Sequence, residues 1–178
     1  QNTLHALIES GAVEDDSAER LKKVIAMRKK AEAGDPEAMC FLSDWYCGGT
    51  NGLYKDMKQA YAWALKAAAL NNVEGIAYKG AHLYYGSGVD KDEVAGAALL
   101  VMAAGQNSAY ACYYLGDEYY TGESGLPKDH KLAKYWLTKA LELNQDYKKE
   151  TGPGFADKDL DECKKMLKEL DGDTKDER

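Results

Sequence analysis

With 178 residues, 45% of them hydrophobic and 30% charged, the chain is long enough to bury one continuous core without metals or disulfide staples, which excludes a disordered protein. Its 30 acidic residues against 23 basic ones leave a formal charge of -7. That balance argues against nucleic acid as a partner, because such affinity rests on neutralising phosphates with Lys and Arg, and it favours a basic protein or peptide.

No apolar run reaches the roughly 20 residues a bilayer crossing needs; GAALLVMAAG, from Gly96 to Gly105, is among the longest. Beginning at Gln1 rather than Met, the chain reads as processed or cut, so its first residues give no localisation. In chain order, TLHALIES (residues 3–10) suits a short first helix. Asp16 and Glu19 form a capping box ahead of a second helix, in which Leu21, Val24, Ile25 and Arg28 recur at helical spacing. These flanking helices occupy residues 1–33.

From Gly34 to Leu143 the chain repeats itself. LSDWYCGGTNGLYKDMKQAYAWALKAAALN from Leu42 matches LGDEYYTGESGLPKDHKLAKYWLTKALELN from Leu115 at a constant offset of 73. Asp44 pairs with Asp117, Gly49 with Gly122, Asp56 with Asp129, Ala60 with Ala133, Trp63 with Trp136 and Ala67 with Ala140. A diverged middle copy supplies Gly86, Asp92, Leu99 and Ala103 in place of Gly49, Asp56, Trp63 and Ala67, with Gly96 where the others have alanine. Three tandem units of about 36 residues result, over 34–72, 73–108 and 109–143.

Each unit describes two helices joined by a glycine loop. In the third, Ala111, Leu115 and Tyr119 mark one helical face, and GESGLP breaks the pattern. Asp129 is placed to cap the next helix, with Ala133, Trp136, Leu137 and Ala140 as its apolar stripe. Ser124 sits between glycines with a lysine close behind, a setting that invites a nucleophile or phosphate-loop reading. Its counterpart in the first copy is Asn51, so the stretch reads as the turn of the repeat. After the third unit, residues 144–170 hold a loop and a capping helix, with Leu160, Cys163, Met166, Leu167 and Leu170 on one face and charge on the other. DGDTKDER, residues 171–178, reads as a frayed charged tail.

These units resemble Sel1-like repeats, relatives of the tetratricopeptide repeat. The third copy carries the pattern as Ala111, Leu115-Gly116, Tyr119, Gly122, Gly125, Asp129, Ala133, Trp136 and Lys139-Ala140. Ser43 stands where the family has glycine, and the middle unit lacks the leucine and the tryptophan. The resemblance implies an all-α fold, a right-handed α/α superhelix or solenoid of three hairpins with flanking N- and C-terminal helices. It also implies a non-catalytic scaffold or adaptor that binds a protein or peptide, with a secreted or periplasmic inhibitor or immunity-type protein as the alternative.

In such superhelices the first helix of each hairpin lines the concave surface. With Ala111, Leu115 and Tyr119 turned to the core, the adjoining stripe is Tyr110, Tyr113, Asp117 and Tyr120. The matching positions are Glu74, Ala77, Ala81 and Tyr84 in the second unit, and Glu37, Cys40, Asp44 and Cys47 in the first. Tyrosines offer contact area and carboxylates pair with Arg or Lys, so Glu37, Asp44, Glu74, Tyr84, Tyr110, Tyr113, Asp117 and Tyr120 are the candidate partner-binding residues. The opposing expectation is that several of these tyrosines pack between adjacent first helices and reach solvent only at their hydroxyls.

Signals for other chemistry are weak. His5, His82 and His130 are scattered without HExxH spacing, and GxSxG, Walker and dinucleotide-binding motifs are absent. Cys40, Cys47, Cys112 and Cys163 lack CxxC spacing, and Cys40 and Cys47 lie about 10 Å apart along one helix, too far to bridge. Free thiols are the better reading, with a bridge between helices left open. Neither a catalytic residue, a metal nor a cofactor is expected.

Overall fold

A computed structural model describes residues 15–122, 126–150 and 157–176, and that part of the chain is eight helices without a strand. The short helix expected at residues 3–10 and Ser124 lie outside it, as do the side chains of Asp15 and Asp16. The first helix, α1, runs Asp15–Glu32. Three hairpins follow: α2 (Pro36–Gly48) with α3 (Met57–Ala69), α4 (Val73–Tyr85) with α5 (Glu93–Gly105), and α6 (Ala109–Thr121) with α7 (His130–Glu150). The last helix, α8, spans Asp157–Asp176, so it continues through most of the segment expected to fray.

Local chemistry places each boundary. Asp56, Asp92 and Asp129 cap the second helices, accepting from backbone N–H groups two or three residues on at 2.9–3.0 Å. Asp35, Asn72 and Ser108 do the same for the first helices, at 2.8–3.2 Å. Each first helix ends on a glycine in the left-handed conformation, Gly49, Gly86 and Gly122, with φ of 65°, 68° and 70°.

Consecutive helices pack as neighbours, and each of α4, α6 and α8 also touches the first helix before it. α8 therefore occupies the place a fourth first helix would take. Alanines at the hairpin interfaces, Ala60, Ala67, Ala103, Ala133 and Ala140, are fully buried, which lets backbones approach closely. Cys163, Met166 and Leu170 of α8 close the end of the core. In α1 the inward face is Ala18, Val24 and Ala31, while Leu21 and Ile25, expected on that face, remain largely exposed. Among the described residues, no helix is long and apolar enough to cross a membrane.

Candidate partner-binding surface

The first helices present a continuous tyrosine cluster. Tyr78 of α4 lies 4.3 Å from Tyr110 of α6 between ring centroids, Tyr110 lies 4.7 Å from Tyr114, and Tyr114 lies 5.7 Å from Tyr85. The Tyr110 and Tyr114 hydroxyls share a 2.9 Å hydrogen bond. Burial pushes the Tyr114 phenol up to about 12 and raises that of Tyr110 well above its ordinary value, so both stay protonated donors at neutral pH.

Carboxylates of α6 and α8 act on this cluster. Asp117 of α6 and Asp159 of α8 both raise the titration of Tyr113 and Tyr114. Asp159 also acts on Asp44 of α2, whose carboxyl is pushed up to about 6, first by burial and then by that repulsion. The Asp159 carboxylate of α8 thus acts both on the tyrosines of α6 and on the Asp44 carboxyl of α2.

The eight candidates divide. Asp44, Tyr110 and Asp117 belong to this surface, and Glu37 is half-buried in the first turn of α2. Glu74 instead spans a repeat junction. Its carboxylate accepts from the Ser108 hydroxyl at 2.7 Å and the Ala109 N–H at 3.0 Å, and burial raises its pKa despite these bonds. Tyr84 is buried edge-on to Tyr85. Tyr113 is buried and donates to Glu162 of α8 at 3.2 Å. Tyr120 donates to Glu169, and its ring stacks on His130 at 6.2 Å. The tyrosines on the predicted stripe therefore pack largely between neighbouring helices.

The half-buried cluster keeps Tyr110 and Asp117 of the predicted stripe in α6 but takes Tyr114 in place of Tyr113, and in α4 it takes Tyr78 and the more exposed Tyr85 in place of Ala77 and Tyr84. Sequence reasoning missed Tyr78, Tyr85 and Tyr114. It also missed Glu118, which is buried and accepts from the Tyr85 hydroxyl at 2.9 Å. All four cysteines are free. Cys47 lies 3.6 Å from His82 Nε2, while His82 Nδ1 donates to the Ser87 carbonyl at 2.6 Å. Burial pushes the Cys47 thiol up to about 11 and lowers His82, which holds the pair neutral rather than as a thiolate–imidazolium couple. Among the described residues, no group of three or more His, Cys, Asp or Glu side chains is placed to hold a metal ion.

The repeat register seen in the helices has a match among known families. The family model "Sel1 repeat" fits three stretches, residues 36–72, 77–108 and 109–145. The chain belongs to the Sel1 repeat family. Sel1-repeat proteins generally act as scaffolds for protein–protein interaction and are typically not catalysts. Among solved structures, a Sel1 repeat protein from Oxalobacter formigenes is 31% identical, with a TM-score of 0.50 over 66% of this chain and 88% of that one. A second is c5321, a protective antigen of uropathogenic Escherichia coli strains displaying an SLR fold, at 22% identity and a TM-score of 0.35. That alignment takes in 93% of this chain and 43% of the antigen's length. No curated protein matches the chain.

Proposed function

We propose that this Sel1-repeat protein is an adaptor that holds a basic segment of a protein partner on the surface formed by Asp44, Tyr78, Tyr110, Tyr114 and Asp117. The observation that carries the reading is the tyrosine cluster of α4 and α6, on which the Asp117 and Asp159 carboxylates act, with Asp159 also acting on Asp44 of α2. Tyrosine rings give large contact area at small entropic cost, and each carboxylate offers a charge-assisted acceptor to Lys or Arg. A negative wall opposite a positive segment also speeds encounter, an effect that salt screens.

Affinity purification with mass spectrometry, run with the native chain and with an Asp44→Lys, Asp117→Lys double variant, tests it. Partners retained by the native chain and lost from the folded variant are the expected result. If every specific partner survives the charge reversal, the binding surface lies elsewhere.

A further inference from the structure

A cleft of about 470 Å³ separates the second and third hairpins, lined by Val94, Ala97 and Val101 of α5, Leu115 and Glu118 of α6, and Trp136 of α7. Its walls are apolar apart from Glu118 and Glu93 and the edges of the tyrosines. Glu118 is only 5% exposed, and while its Oε1 accepts from Tyr85, its Oε2 is buried with no hydrogen-bond partner among the described residues. A buried carboxylate oxygen left in that state is costly, and it is satisfied by an incoming donor. Lys91, beside the mouth of the cleft, is engaged by Glu93.

The corresponding position one repeat earlier has no such deficit. His82 occupies the Glu118 position one repeat earlier, and both of its ring nitrogens are engaged, by the Ser87 carbonyl and by Cys47. At the rim, Val94 and Val101 stand two turns apart on one face of α5, 83% and 57% exposed. An occupant that also covers the outward faces of those valines extends beyond the cleft.

We infer that this cleft, which adjoins the tyrosine surface through Tyr114, is a second docking site that takes a lysine or arginine of a partner protein flanked by aliphatic side chains. The cation donates to Glu118 Oε2 at the end of an apolar stem, and the neighbouring aliphatic groups cover Val94 and Val101. Methylene stems suit apolar walls while the charged head reaches the carboxylate.

The probes are a capped Ala-Leu-Lys-Leu-Ala peptide and its twin with norleucine in place of lysine, titrated into the full chain while the methyl signals of Val94 and Val101 and the Trp136 indole are followed by NMR. Expected are shifts of these signals and at least a tenfold preference for the lysine peptide. In Glu118→Gln, which keeps an acceptor for Tyr85, that preference should fall to within twofold. Val101→Ser, at an exposed position that does not threaten folding, should weaken both peptides several-fold. The proposal is overturned if the lysine peptide shifts only Asp44 and Asp117, if neither peptide shifts the cleft, or if Glu118→Gln leaves the preference intact. The first of those outcomes would leave the tyrosine surface standing; survival of every partner in the Asp44→Lys, Asp117→Lys variant, with the expected lysine-peptide shifts at the cleft, would do the reverse.

Discussion

Ser43 stands where Gly80 and Gly116 stand in the later copies. At Gly116 an added Cβ would lie 2.6 Å from Leu137 Cγ, and at Gly80 it would lie 3.2 Å from Leu100 Cγ. The first hairpin has Ala64 in the register of those leucines, so the large and small partners have exchanged. The exchange is imperfect, because the fully buried Ser43 hydroxyl has no partner among the described residues. Ser43→Ala should therefore stabilise the chain by about 1 kcal/mol, measured by urea denaturation. Gly96 is the opposite case. Alanine in a helix interior normally gains about 1 kcal/mol over glycine, but here its Cβ would lie 2.5 Å from the Tyr84 nitrogen and 2.7 Å from the Gly80 oxygen. These are backbone atoms, so Gly96→Ala should cost about 2 kcal/mol net by forcing α4 and α5 apart.

Asp44 gives a pH prediction. Its carboxyl is raised from 3.8 to about 6, so the folded state holds the proton more tightly than the unfolded state. Its contribution to stability is greatest below pH 4, falls as pH rises to about 6 and then levels off. Asp44→Asn should remove that slope from a series of denaturation curves. A cationic partner prefers the ionised form, so its affinity should climb several-fold between pH 5 and pH 7 with the native chain, and much less with the variant.

Among the helices, the boundaries were legible because three copies check one another. Asp129 was readable as a cap from its place before an apolar stripe, and Asp56 and Asp92 share its register. The membership of the tyrosine cluster was only partly legible. The stretch YACYYLGDEYY puts tyrosine on nearly every face of α6, so helical periodicity cannot separate Tyr113, which packs against α8, from Tyr114, which belongs to the open cluster. Glu74 and Glu118 were misplaced or missed because a carboxylate reads as surface by default. Their partners, Ser108 and Tyr85, lie 34 and 33 residues away in sequence, which no local pattern reveals. Glu74→Ala should destabilise by about 2 kcal/mol, since it strips an acceptor from a buried hydroxyl and a helix-end N–H, whereas Glu74→Gln should lose less. Thermal unfolding of the two variants side by side separates the lost bonds from lost packing.

At the level of the whole stack, stability is a sum over hairpins and the interfaces between them, and the ends need a polar outer face. α8 supplies it at one end: Cys163 and Leu170 seal the core, and Lys134 pairs with Asp171 across α7 and α8 at 2.5 Å. Deleting residues 151–178 removes the α8 partners of Leu137 and Tyr113 and takes Asp159 away from the tyrosines. The shortened chain should melt at lower temperature and self-associate in sedimentation experiments, and its Asp44 should titrate closer to the normal carboxylate range. If the shortened chain sediments like the full chain and has an unchanged melting point, α8 is not a cap.

The bond from Glu74 to Ser108 and Ala109 has a bearing on how such proteins can be recombined. The sequence divides between 108 and 109, yet the atoms that finish the start of α6 come from the start of α4. A chimera cut at that border would join a hairpin to a neighbour lacking its acceptor, and a transplanted third repeat would arrive with one helix end unfinished. The unit that can be moved intact is therefore a repeat together with the opening turn of the one before it.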